Sequence, residues 1–257
     1  MELKDKILSS YVAFENEMDM NSDIHEIRTK AFENFEKLGF PTKKLEAWKY
    51  TSLNPILKND FCILPNKEVS VDLAEVRKYF ISDIDSYKVI FIDGKYSTFL
   101  SETTHDTIDV CLMSAALTKP KYKVVIENYF NKIAKQDNLT SLNTAFAKEG
   151  AYIYIPKNVE VQKPIQIVNF TTGAEIATMM QPRNLIVVEE NAHVQIIERH
   201  QSLTSNAVLS NVVTEVFAAR NATIDYYKIQ NDNLNASLVD NTYIEQKTNS
   251  EVSVHTF

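Results

Sequence analysis

Five histidines, two cysteines and one close Glu–His pair are the residues of this chain with the widest chemical reach. The histidines are His25, His105, His193, His200 and His255; the cysteines are Cys62 and Cys111. A protein metal site gathers three or four such ligands at one point. Glu198 and His200 are two residues apart, so on a strand they share a face and could converge as a metal pair. Nothing at a recognisable spacing supplies a third ligand, and the plainer reading is a satisfied polar wall. The cysteines are 49 residues apart in apolar segments, with no C-x-x-C. They read as buried, reduced thiols. A standard iron–sulfur set needs four thiolates, which this chain alone cannot supply.

The remaining candidates are weaker. Glu189 and Glu190 are adjacent, so on a strand they face opposite ways, a poor geometry for shared acid–base work. Lys119, Lys121 and Lys123 flank Pro120 and read as a solvated approach to a helix, with an anion-binding role as the alternative. The sequence has no G-x-S-x-G, H-E-x-x-H, Gly-rich phosphate loop or G-x-G-x-x-G. On its residues alone the chain names no catalytic, cofactor-binding or metal-binding side chain, and no enzyme activity is expected. The single tryptophan, Trp48, lies among Lys43, Lys44 and Lys49 in "PTKKLEAWKYTSL". Its surroundings suggest either a binding platform or a structural pin. We read Trp48 and Tyr50 as aromatic anchors holding the N-terminal helices to the body of the protein.

The elements that must position these residues fall into three stretches. A hydrophobic content of 44% over 257 residues suffices for a large core. A formal net charge of −7 provides no long-range basic field, so a nucleic-acid partner is not expected. The charged N-terminus is not a signal peptide, and no apolar run approaches the ~18 residues of a membrane span. The chain reads as cytoplasmic. Residues 1–60 read as helical. Leu3, Ile7, Leu8, Tyr11 and Phe14 form one stripe. Ile24, Ile27, Ala31, Phe35 and Leu38 form another, capped at Asp23 with Glu26 and stopped by Gly39 and Pro41. Residues 61–150 are mixed. Asp72 caps a short helix, "YKVIFIDGKYSTFL" is a hairpin about an Asp-Gly turn, and "KVVIENYFNKIA" and "TSLNTAFA" have helical spacing. From 151 to 257 the period is that of strands.

That last stretch repeats. "YIYIPKNVEVQ", "LIVVEENAHVQII", "TEVFAARNATIDYY" and "YIEQKTNSEVSVH" align about Asn158, Asn191, Asn221 and Asn249, at intervals of 33, 30 and 28 residues. Asparagine tolerates the left-handed conformation of a sharp corner. Three positions after each lies Val161, Val194, Ile224 or Val252; the last three units then offer Ile196, Tyr226 and Val254. Stacked at about 4.8 Å, these form an apolar ladder inside a β-solenoid. An evenly spaced β-sandwich is the alternative. The strand-like ending "EVSVHTF" carries no cap, which suggests a truncated chain or a covered edge.

Two of these segments carry a family likeness. "Phe40-Pro41" followed by "Glu46-Ala47-Trp48-Lys49-Tyr50-Thr51", and later "LNTAFAKEGAYIYIPKNVEVQKPIQIV", resemble the SufB/SufD family of the SUF iron–sulfur cluster assembly system, most closely its SufD branch. The resemblance implies an α+β chain: a helical N-terminal region (1–60), a mixed linking region (61–150) and a right-handed parallel β-helix (151–257), incomplete at its C-terminus. It implies a scaffold subunit partnered by SufB-like and SufC-like proteins, with an iron–sulfur cluster belonging to the assembled complex and none bound by this chain alone. None of the five histidines matches the family's late cluster-site segment, so no cluster ligand is carried over. Self-association through the last rung is a further expectation. A β-helix polysaccharide lyase or hydrolase, and a generic solenoid interaction module, are the competing functions.

Overall fold

The computed structural model describes residues 2–17, 23–63, 65, 69, 71–81, 84–103 and 107–257. His105 and the expected Asp23 cap fall outside the described residues and side chains. The front of the molecule is helical. Helix α1 (Leu3–Asn16) buries Leu3, Ile7, Tyr11 and Phe14, the stripe set by its spacing. In α2 (Asp23–Leu38), Ile24, Ala31 and Phe35 are buried, while Glu26, Lys30, Glu33, Glu36 and Lys37 face solvent. Tyr11 stacks on Phe32 at 3.8 Å and meets Phe146 edge-on at 5.6 Å, clamping the two helices together. Gly39 ends α2 in the left-handed region (φ 62°), its amide bonding Phe35 O at 2.7 Å.

Two details of α2 differ from the sequence reading. Leu38 is exposed, because the packing surface stops where the chain reverses at Gly39. Arg28, on the turn between Ile24 and Ala31, is buried. Its Nε donates to Ala147 O at 2.9 Å, so the stripe includes a guanidinium that satisfies a buried carbonyl.

The middle stretch frames the solenoid. In α3 (Leu73–Arg77), Asp72 caps by accepting from Ala74 N at 2.9 Å. Strands β1 (Tyr87–Ile92) and β2 (Lys95–Tyr96) form the hairpin, with Asp93 (φ 48°) and Gly94 (φ 79°) supplying the two positive dihedrals of a type I′-like turn. Next come β3 (Asp109–Leu112), α4 (Met113–Thr118), α5 (Lys123–Tyr129) and α6 (Asn138–Ala145), the last capped by Asp137. Helix α6 is buried throughout and packs against α2.

Beyond residue 150 the described chain is built of strands: β4 (Ala151–Ile155), β5 (Ile165–Thr171), β6 (Ala177–Met180), β7 (Arg183–Val188), β8 (His193–Ser202), β9 (Ala207–Ala218), β10 (Thr223–Asn231), β11 (Ala236–Gln246) and β12 (Glu251–Thr256). They wind into about four turns of a parallel β-solenoid. One sheet runs β12-β10-β8-β5-β1-β2; the other runs β11-β9-β7-β4-β3, with β6 also on β9. The pairs among β4–β12 are parallel. Strand β3 runs antiparallel to β4, and β1 extends the other sheet in parallel beside β5.

The four asparagines stand at one corner of successive turns, all left-handed, with φ of 61°, 56°, 58° and 57°. Their amides form a ladder: Asn191 donates to Asn158 at 2.9 Å and Asn221 to Asn191 at 2.8 Å. The apolar column follows. Val194, Ile224 and Val252 are register partners, as are Ile196, Tyr226 and Val254. In the first turn Ile165, not residue 163, pairs with Ile196, so this turn carries two extra residues after Val161. The interior is packed by Ile153, Ile167, Ile186, Val188 and Val216.

Candidate functional site

The solenoid interior is divided. Next to the asparagine corner it is apolar; further along the same strands the inward positions become polar. On β8 the inward series Val194, Ile196 continues as Glu198 and His200. On β10, Ile224 and Tyr226 continue as Lys228. Parallel in-register pairing sets Glu198 directly beside Lys228. The opposite sheet contributes Asn184 from β7, Thr214 from β9 and Asp240 and Thr242 from β11.

These groups form one network. Tyr226 OH donates to Glu198 Oε2. Lys228 Nζ lies 3.6 Å from the same oxygen and donates to Asp240 Oδ1 and Oδ2 at 2.8 and 2.6 Å and to Thr242 Oγ1 at 2.6 Å. Asn184 Nδ2 reaches Glu198 Oε1 at 3.3 Å and Thr214 Oγ1 at 3.2 Å, while its Oδ1 accepts Ala151 N at 2.9 Å. His200 Nε2 is 3.3 Å from Glu198 Oε1.

Burial alone would raise the Glu198 carboxyl, but the Lys228 ammonium, His200 and the Tyr226 hydroxyl outweigh it and hold Glu198 below the ordinary carboxylate value. Burial, then the Glu198 charge, pushes the Tyr226 phenol well above its usual range. Glu198 is therefore ionised at neutral pH and Tyr226 is a fixed donor. With Glu198 and Tyr226 essentially inaccessible, the network orders the inside of the solenoid and offers no open face to a bulky substrate.

The Glu198–His200 pair thus converges as its parity requires, but its company is Lys228, Tyr226 and Asn184, a polar wall with a cation at its centre. Among the described residues no group of three or more His, Cys, Asp or Glu is placed to hold a metal ion. His193 lies 3.5 Å from Asp225, His25 3.6 Å from Glu15, and His255 stacks on Tyr227 at 5.1 Å. Glu189 accepts from Tyr154, whereas Glu190 pairs with Arg220 and Lys157, so the two carboxylates diverge. Lys119, Lys121 and Lys123 are exposed, Lys121 bonding Asp109 at 2.5 Å. Cys62 and Cys111 are half-buried, and burial pushes the Cys111 thiol up, disfavouring the thiolate.

The basic aromatic stretch is corrected in part. Trp48, in a short 3-10 turn, is half-buried against the cluster formed by α1, α2 and α6, but Tyr50 is 89% exposed and anchors nothing. Lys43, Lys44 and Lys49 are exposed, the last paired with Glu46.

The join between helices and solenoid rests on a pair that the sequence reading missed. Arg183 and Glu215 face outward from adjacent strands and are fully buried. Arg183 Nη2 donates to Glu215 Oε2 at 2.6 Å and Nη1 to Thr144 Oγ1 at 3.1 Å, with the guanidinium 5.0 Å from the Phe130 ring centre. Glu215 also accepts Asn131 N, Ile133 N and Ala134 N at 2.7, 2.9 and 3.1 Å.

Fold and interior together define a parallel β-solenoid behind a helical front, with Glu198 and Lys228 paired in its interior. A family model described as the SufBD protein N-terminal region matches residues 1–167, and one described as the SUF system FeS cluster assembly, SufBD core domain, matches residues 169–257. This chain belongs to the SufBD family of iron–sulfur cluster assembly proteins. It is 27% identical to an iron–sulfur cluster assembly SufBD family protein of Synechocystis, over 81% of this chain and 48% of that one. It is 24% identical to the iron–sulfur cluster assembly protein SufD of Bacillus subtilis (86% of this chain, 50% of that one). Against SufD of Escherichia coli the identity is 23% (77% and 44%). The chain spans about half the length of these curated relatives. Among the described residues no helix is long and apolar enough to cross a membrane.

Proposed function

We propose that this chain serves as a SufD-like scaffold subunit in iron–sulfur cluster assembly, pairing with a SufB-like protein and a SufC-like ATPase in the cytoplasm. The observation that carries this reading is the consecutive match of both family regions onto a helical front and a stacked solenoid. The cluster is the cargo of the assembled complex. We assign no cluster ligand and no turnover chemistry to this chain; Glu198, Tyr226 and Lys228 inside the solenoid are buried and bonded within their own network. A polysaccharide-cleaving solenoid needs carboxylates open to a groove, and Glu198 is not open.

Co-expression with the SufB-like and SufC-like proteins of the same organism tests the proposal. The expected result is a co-eluting complex that acquires the visible absorption of an iron–sulfur cluster on anaerobic reconstitution. Failure of both this chain and any longer form encoded with it to join either partner would refute the assignment.

A further inference from the structure

A cleft of about 560 Å³ opens between α2, α4 and α5. Small organic molecules are held in cavities of roughly 300–1,000 Å³. Ile24, Ile27, Leu117, Ile126 and Phe130 give this one apolar walls, continuous with the cluster that packs these helices together. Of the charged side chains that line it, Arg28 alone is buried, at 6% exposure.

The Arg28 guanidinium is held in place but not neutralised. Its Nε and Nη2 donate to Ala147 O at 2.9 and 2.5 Å, and the group stands 5.7 Å from the Phe14 ring centre. Among the described residues nothing accepts from its Nη1, which is not sealed as Arg183 Nε and Arg199 Nε are and keeps surface where Arg28 lines the cleft. No carboxylate of the described residues pairs with it either. Burial draws the group down to about 10, with Tyr11 opposing, so it is charged at neutral pH. A buried charge without a counter-charge is costly, and proteins rarely keep one.

The rim has the same sign. Lys119, Lys123, Lys132 and Lys148 line the cleft together with two carboxylates, Glu17 and Glu127. Both carboxylates are taken: Lys148 lies 3.8 Å from Glu17 and Lys123 lies 3.5 Å from Glu127. Arg28, Lys119 and Lys132 remain as positive charges with no ion-pair partner among the described residues. Lys121, the third lysine about Pro120, is outside the cleft and bonded to Asp109.

We propose that this cleft binds a small molecule with an apolar body and a single anionic head. The apolar walls receive the body, and the head supplies the acceptor that Arg28 Nη1 lacks and the negative charge that Arg28, Lys119 and Lys132 lack. A guanidinium and a carboxylate or phosphate form the stronger, charge-assisted class of hydrogen bond.

The test titrates the whole isotope-labelled chain near neutral pH with octanoate and octyl phosphate, and with octanol and octylamine as comparisons having the same tail. Calorimetry gives the affinities and amide chemical shifts locate the site. At least one anion should bind saturably, shift the Ile27, Leu117 and Phe130 amides, and bind about tenfold or more tighter than octanol, the worth of a charge-assisted hydrogen bond. Octylamine, a cation at this pH, should bind most weakly, and the tighter of the two anions names the head. Arg28→Met should weaken the anion by about tenfold and leave octanol unchanged. Lys119→Glu/Lys132→Glu, which spares the buried contacts, should weaken the anion in the same selective way. Absence of saturable shifts at the cleft, octanol binding as tightly as both anions, or unchanged anion affinity in both variants would overturn the proposal. If Arg28→Met does not fold by circular dichroism, the lysine variant and the comparison of anions with octanol on the unaltered chain decide.

Discussion

Removing the Glu215 carboxylate should uncouple the helical front from the solenoid more than any other single truncation. In Glu215→Ala the Arg183 guanidinium, fully buried, loses its counter-charge. Breaking one side of a buried ion pair costs about 3–5 kcal/mol. The amides of Asn131, Ile133 and Ala134 lose their acceptor at the same time. Each would cost about 1–3 kcal/mol if it stayed dry. Water entering the vacated volume offsets most of that second contribution, so a net loss of about 4–5 kcal/mol is expected, set against about 5–15 kcal/mol for a whole domain. Burial already draws the guanidinium below its ordinary value while Glu215 opposes it, which is the sense expected for a charge that depends on this partner. The assay is urea unfolding followed by circular dichroism and by Trp48 emission, with hydrogen exchange reporting on Asn131–Ala134. The double variant Arg183→Met/Glu215→Leu should recover much of the loss, because it removes both charges together. A single-variant loss under about 1 kcal/mol, or a double variant as unstable as the single one, would show that the pair is not the clamp described.

Three other outcomes follow from the geometry. Asn191→Ala should lower stability by about 2–3 kcal/mol, from left-handed backbone strain and two lost ladder bonds; Asn191→Gly should restore the backbone part, and equal melting of the two variants would contradict the corner's role. Trp48→Ala should cost about 2 kcal/mol, below the 3–5 of a fully buried tryptophan, while Tyr50→Ala should lie within about 0.5 kcal/mol of the parent; a larger Tyr50 effect would mean that it has a partner after all. For Glu149, the folded carboxyl at about 7 binds its proton more tightly than the unfolded one at 4.5. Its contribution to stability is thus complete below pH 4.5 and is lost as pH rises towards 7. Chemical denaturation across that range should show this decline in the parent relative to Glu149→Gln, and parallel curves would remove the argument.

Much of the fold was legible because solenoid rungs repeat their own physics. The left-handed asparagine and the alternation after it are local signals, so Val194, Ile224 and Val252 could be aligned before any register was known. The same alignment carried two steps further pairs Glu198 with Lys228, an opposite-charge match that marks the polar half of the interior. That signal lies between rungs, and it is invisible while Glu198 is set only beside His200 on its own strand. Asp240, Asn184 and Thr214 were harder, because they belong to the facing sheet and their depth depends on how two strands cross the interior. Arg183 and Glu215 were hidden for a different reason. A charged residue on an outward strand position reads as solvated unless another part of the chain is known to cover it, and here the cover comes from residues 130–144. Tyr50 failed in the opposite direction, since an aromatic two residues from a half-buried tryptophan is not itself buried when the turn points it outward.

The register also determines where this chain can grow or shrink. Between the second and third turns, seven positions separate Gln201 from Val208, but only five separate the equivalent Asn231 from Ala236. The insertion after Val161 likewise has two residues and returns Ile165 to the inward column. Both changes are even, and an even change leaves every later side chain on its original side of the wall. A one-residue deletion between Asn191 and Glu198 would instead turn Glu198 outward and put Arg199 in its place. Lineages of this fold should therefore tolerate length changes in steps of two beside the asparagine corner, with odd changes confined to the opposite bend, and a graft intended to enlarge a turn belongs there.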